Sequence, residues 1–431
     1  MEVFSIAILL FSFLLLLSIG TPVAWSIIIS SLFTLLVSVP FLPALTTISQ
    51  RMATGIDSFA LLAIPFFILS GELMNKGGVA HRLVAFAKAL VGFLPGGLAL
   101  INVISAMLMG SVAGSAMASA SAMGSILGPE MEKEGYSKGF GVAINITSAT
   151  TGLVIPPSNI LIVYSLASGG ASIAALFLAG YIPGILTGLF LMAVAMIWAK
   201  KKNFKTGKRP PLKTVFGSFV RAFPSLMLLF VVIGGIVSGV FTATEASAIA
   251  VIYTLVLGFV YKEITFKTLP TILLKSSTTT AIVMFLIGAS MSMSWVLSYE
   301  NIPEMISSGI LSLSDNKIVI LLLINFTLLF VGIFMDMTPA VLIFTPIFLP
   351  IVTQLGIDPV HFGIIMILNL CIGLCTPPVG SVLFVGVGVA NTSIQKVIKP
   401  LIPLFLAMIV ALLLVTYIPA LSLWLPSIFD L

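Results

Sequence analysis

The residues that could do chemistry in this chain fall in two short, similarly built stretches. The first holds Ser111, Gly114 and Ser115 in a Gly/Ser/Ala-rich run, then Asn145, Thr150, Thr151 and Gly152 ahead of Pro156-Pro157, Ser158 and Asn159. The second holds Gly332, Asp336 and Thr338, then Gly373, Cys375 and Thr376 ahead of Pro377-Pro378 and Ser381. Both set oxygen donors beside helix breakers in strongly apolar surroundings. Where a helix unwinds, its carbonyls are released and, with nearby hydroxyls, can coordinate a hard cation such as Na⁺. The N-terminus of the half-helix that follows carries partial positive charge suited to a carboxylate. The expected cation ligands are therefore Ser111, Gly114, Ser115, Asn145, Thr150, Thr151, Gly152, Gly332, Asp336, Thr338, Gly373, Cys375 and Thr376. The expected contacts to an anion are Ser115, Ser158, Asn159, Asp336, Thr338 and Ser381.

Asp336 is the sharpest of these, since an ionisable residue at membrane depth is a functional-site hypothesis by default. Its bland alternative is the N-cap of a helix entered through Pro339. Single hydroxyls are weaker, because membrane Ser and Thr often only bond back to their own helix. Glu245 reads as structural: three residues after Thr242, it completes a capping box. No Lys or Arg is expected at midplane, so an anion would be held by helix ends, amides and cations.

Other chemistries lack their residues. No GxxxxGK[ST] phosphate loop and no HExxH metal helix is present. His81 lies in a basic loop and His361 at a span edge, neither placed as a metal ligand. Cys371 and Cys375 read as small core residues on one apolar segment. An intramembrane hydrolase would need a partnered nucleophile at depth, and no convincing pair is visible.

The elements that must position these residues are membrane helices. Charged residues are 8% of the chain and mean hydropathy is +1.24, against about 25% charged in soluble domains. The net charge of +6 comes from lysines in short loops and gives no nucleic-acid surface. The N-terminus, with only Glu2 before its apolar run, does not read as a cleavable signal. Ten crossings are expected, at about 3–20, 22–40, 57–75, 138–168 (broken), 173–199, 219–240, 244–261, 275–298, 359–390 (broken) and 399–424. Segments 97–131 and 317–355 are apolar with a central break and are expected to be re-entrant helical hairpins; the alternative is two full spans each, for which about 14 residues per arm is short. Amphipathic stretches Val79–Phe93 and Ile302–Leu313 precede them.

One offset, 221, carries Pro129 onto Pro350, Gly152 onto Gly373, Pro156-Pro157 onto Pro377-Pro378 and Thr21 onto Thr242. The chain thus divides into a first repeat (1–199: scaffold helices, hairpin 97–131, broken helix 138–168), a basic linker (200–218), and a second repeat (219–431: scaffold helices, hairpin 317–355, broken helix 359–390). Five crossings per half is odd, so the repeats are expected to be inverted. Placing the linker in the cytoplasm puts all Lys and Arg there except Arg51 and Lys317, as the positive-inside rule requires. Both termini are then outside.

At these positions the chain resembles the large membrane subunit of the tripartite ATP-independent periplasmic (TRAP) transporters, the DctM-like family. The carriers are Gly20-Thr21-Pro22-Val23-Ala24, Pro65 to Gly71, Gly128-Pro129, Ile155-Pro156-Pro157-Ser158, Thr242 to Ala246, Gly332 to Pro339, and Thr376-Pro377-Pro378-Val379-Gly380. The resemblance spans the chain. It implies an all-α elevator-type secondary transporter of the bacterial inner membrane, not an enzyme. It further implies coupling to Na⁺ (two or more ions) without an organic cofactor. The partners it implies are a small four-helix membrane subunit, not fused here, and a soluble periplasmic substrate-binding protein. The organic acid would be sialic acid first, a C4-dicarboxylate second. A stand-alone Na⁺- or H⁺-coupled transporter of the same type is the alternative, and an intramembrane hydrolase a remote one.

Overall fold

The computed structural model describes residues 2–202, 204, 210–313 and 316–431. Met1, residues 203 and 205–209 of the basic linker, and residues 314 and 315 ahead of the second hairpin segment lie outside the described residues. All regular structure among those described is helical. In the first half these are α1 (Glu2–Ser18), α2 (Val23–Leu35), α3 (Phe41–Gly55), a 3-10 turn (Phe59–Leu62), α4 (Ala63–Lys76), α5 (Val79–Val91), α6 (Gly97–Ala113), α7 (Ala116–Lys133), α8 (Lys138–Thr151), α9 (Asn159–Ala167) and α10 (Ile173–Lys201). The second half has α11 (Leu212–Val237), α12 (Ala243–Val260), α13 (Leu269–Tyr299), α14 (Ile302–Leu313), α15 (Lys317–Phe334), α16 (Met337–Gln354), α17 (Pro359–Gly373), α18 (Ser381–Val389), α19 (Ile394–Tyr417) and α20 (Ala420–Ile428).

Helix starts follow local chemistry. Ser115, Ser137 and Ser172 cap α7, α8 and α10 through their side chains, and Asp358 caps α17 just before Pro359. Thr242 and Glu245 form the expected capping box at the head of α12. Both amphipathic stretches are helices, α5 and α14.

Eight helices among the described residues are long and apolar enough to cross a membrane. Six match unbroken expected spans, and two are the arms of the second hairpin. The broken spans are the pairs α8/α9 and α17/α18. The offset of 221 carries α7 onto α16 residue for residue, since Ala116–Lys133 becomes Met337–Gln354. It also carries the starts of α8 and α10 onto those of α17 and α19.

Two expectations need correction. Helix α3 was not foreseen, because Thr46, Thr47, Ser49, Gln50 and Arg51 hide it from hydropathy; its Phe41, Leu42 and Leu45 face outward. The span drawn as 275–298 begins six residues earlier, at Leu269. Together α3 and α4 answer to the single long α13.

The two halves lock through their broken helices. Tyr164 of α9 is fully buried, and its hydroxyl donates to the Pro359 carbonyl at 2.6 Å. Its ring lies against the backbone of Gly363 on α17. Tyr164→Phe should lose about 1 kcal/mol and Tyr164→Ala about 3–5 kcal/mol, read as a small and a large fall in apparent Tm of the detergent-purified protein.

Candidate functional site

Each hairpin turns through two residues that cannot stay helical. Gly114 closes α6 in the left-handed region (φ 59°), where a Cβ is disfavoured. Extended Ser115 then opens α7, its hydroxyl accepting from the Ala118 amide at 3.2 Å. At the second tip Met335 and Asp336 are extended, and Asp336 occupies the N-cap position of α16. Asp336 thus stands where its structural alternative placed it, three residues before Pro339. Yet the Asp336 carboxylate makes no capping hydrogen bond. It is exposed to a cavity instead.

The helix breaks are as placed. After Thr151 the chain tightens, with Leu153, Val154 and Ile155 amides donating three residues back, before Pro156-Pro157 and the cap Ser158. After Gly373 the same tightening joins the Cys375 amide to Ile372 and the Thr376 amide to Gly373. Both Pro-Pro bonds are cis. A Cβ on Gly380 would stand 2.8 Å from the carbonyl oxygens of both Leu374 and Thr376, so these two oxygens converge there.

Hairpins and breaks meet at glycines. A Cβ on Gly110 would lie 2.9 Å from the Gly152 Cα, and one on Gly373 would lie 2.5 Å from the Gly332 Cα. The breaks also meet each other. The Cys371 thiol donates to the Thr150 carbonyl at 3.1 Å, the Cys375 thiol to the Ile146 carbonyl at 3.4 Å, and Thr150 Oγ1 lies 3.4 Å from Cys375 Sγ.

Between the two tips lies a cavity of about 460 Å³, in the size range of small-ligand sites. Of the expected site residues, Gly114, Ser115, Asn159, Asp336 and Thr338 line it. Asn159 also packs on the first tip, its Nδ2 standing 2.8 Å from where a Cβ on Gly114 would sit.

The remaining candidates lie around the seams. Ser111, Thr151 and Thr376 donate to carbonyls of their own helices, as Thr150 does to Thr147. A hydroxyl that donates in this way keeps its lone pairs for a cation. Ser158 and Ser381 bury hydroxyls that find no partner. Cys375 turns its sulfur to α8 and away from the tips, so it packs as a core thiol. Asn145 is separated from the group. Its amide donates to the Ala120 carbonyl at 2.7 Å, and it faces a second, much smaller space beside Asn102 and Gly124. A residue seven before Gly152 on an intact helix stands two turns away from the break.

Two lining residues were missed. Lys275 of α13 and Glu72 of α4 reach the same cavity, paired at 2.8 Å. The wall of helix ends and amides therefore also carries one ammonium, which enters from near the start of α13. Glu72 inside an apolar run was the available signal; Lys275 was lost because α13 begins at Leu269 and carries it into the wall.

Residues 10–421 match the family described as tripartite ATP-independent periplasmic transporter, DctM component. The chain belongs to this family. That makes this DctM-family protein a transporter component and not an enzyme. It is 56% identical over 427 residues to the uncharacterized protein YgiK of Salmonella typhimurium, covering 99% of this chain and 98% of that one. It is 41% identical over 414 residues to the isethionate TRAP transporter permease protein DctMQ of Oleidesulfovibrio alaskensis, covering 96% of this chain but 65% of that protein. Further relatives at 41%, 38% and 37% identity are named as C4-dicarboxylate, sialic acid and 2,3-diketo-L-gulonate large permeases, from Pseudomonas aeruginosa, Vibrio cholerae and Escherichia coli. Among solved structures, the Alcanivorax borkumensis YdaH transporter superposes with a TM-score of 0.64 at 14% identity, over 91% of this chain and 90% of that one. That likeness is one of fold.

Proposed function

We propose that this DctM-family protein imports an organic acid anion, driven by a Na⁺ gradient, and that the cavity between the hairpin tips is where the anion binds. The observation that carries this is the convergence of two hairpin tips, Asn159 of a broken helix and Asp336 on one cavity. Two helix N-termini, at Ser115 and Asp336, meet there and suit the anion's charge. The glycine seams Gly110–Gly152 and Gly332–Gly373, with their hydroxyls and tightened carbonyls, suit two or more Na⁺ ions.

The hairpins and broken helices then move together against the remaining helices as an elevator, in a bacterial inner membrane with both termini periplasmic. A small four-helix membrane subunit and a periplasmic binding protein complete the transporter. The relatives' names span carboxylates and a sulfonate at similar identity. The class is therefore a small organic anion, with N-acetylneuraminate the first probe, and succinate and isethionate next.

The test is reconstitution with both partners in proteoliposomes. Radiolabelled probe should enter only with an inward Na⁺ gradient and only when the binding protein is present. Equal uptake without Na⁺, or by this chain alone, would overturn the reading.

A further inference from the structure

We propose that Lys275 is the cationic contact for the transported anion when the cavity faces the cytoplasm, and that Glu72 holds its ammonium while the cavity is empty. This rests on the reading of the cavity as the substrate site.

The charged residues lining the cavity are Glu72, Asp336 and Lys275. An anion entering meets two carboxylates of its own sign and one ammonium. The pair is also lopsided: the Lys275 side chain is 55% exposed and that of Glu72 15%. The ammonium is therefore the half presented to the cavity, with the carboxylate set behind it. The half-exposed ammonium can turn from Glu72 to the anion's own acid group, and the mostly buried carboxylate left unpaired draws it back. That suits release, because Glu72 recaptures the ammonium as the anion departs.

Position matters as much as charge. Glu72 stands near the end of α4 and Lys275 near the start of α13, beside the basic ends assigned to the cytoplasm. Neither helix belongs to a hairpin or a break. Helix α13 packs on α16, whose first residues follow Asp336. The contact is therefore made from a fixed wall, and in one orientation of the moving body.

Thr279 lines the cavity one turn beyond Lys275, its hydroxyl donating to the Lys275 carbonyl. The two native cysteines are buried, so Thr279→Cys gives a single reporter thiol. In inside-out vesicles containing the full chain and its small membrane subunit, the reporter is titrated with two methanethiosulfonates. One carries an anionic 2-sulfonatoethyl group, itself a small organic anion, and the other a cationic trimethylammonium group.

Adding Lys275→Gln should lower the anion-to-cation rate ratio roughly tenfold, the effect of one unit charge a turn away. Adding Glu72→Gln should raise it, and Lys275→Arg should keep it near the parent value, which separates loss of charge from loss of fold. A ratio unmoved by both Gln variants, or a reporter inert to both reagents, overturns the proposal. Because the readout needs no transport, failure of Na⁺-driven uptake would count against the substrate reading separately.

Discussion

Asp336→Ala should leave the protein folded and cut Na⁺-dependent uptake about a hundredfold or more, equivalent to roughly 2.7 kcal/mol of lost binding. Folding should survive because the carboxylate makes no bond to the second or third residue of α16, only to the Met337 amide beside it, although its backbone sits at the N-cap. Removing a true cap would cost about 1 kcal/mol; here even that bond is not made. The charge faces the cavity between the tips, where it can pair with a coupling cation or with groups on the substrate. An intramembrane acid without such a role would be an expense that selection has no reason to keep. Initial uptake rates across a Na⁺ titration give the measurement, with Asp336→Asn separating charge from shape. Near-normal transport by the alanine variant would remove Asp336 from the centre of the site.

Gly373→Ala is expected to cut transport too, by a different route. The new methyl would stand 2.5 Å from the Cα and 2.7 Å from the carbonyl oxygen of Gly332. These are backbone atoms, which cannot rotate aside as a side chain could, so hairpin and break must separate. Any ion held at the seam would lose its ligand geometry, and uptake should fall at least tenfold with weakened Na⁺ dependence. Gly388→Ala, in the half-helix after the same break, meets nothing within 4 Å and should transport normally. Equal activity of the two variants would show that close approach at Gly373 is not needed.

What could be read in advance was what is locally encoded. Gly-Pro punctuation marked both hairpins and both breaks, because those residues restrict or free the backbone whatever surrounds them. The Thr242–Glu245 box and the amphipathic helices α5 and α14 are equally local. Helix α3 escaped because its polar residues fall below any hydropathy threshold, though a proline stands at its N-cap. Asn145 was grouped with Gly152 by nearness in sequence; the intact turns of α8 carry it to another seam. Glu72 and Lys275 are 203 residues apart in sequence, and their meeting is a product of α4–α13 packing that spacing alone does not encode.

The unequal treatment of one element in the two halves has a consequence for resting behaviour. A carrier made of two identical opposed halves would have two end conformations of equal energy, since exchanging the halves would convert one into the other. Here one half carries the break between Gly55 and Ala63, with Arg51 stacked 4.9 Å over the Trp295 ring, where the other runs one continuous 31-residue helix. In the proposed elevator the two end conformations are then chemically distinct, and the empty protein should favour one side of the membrane over the other.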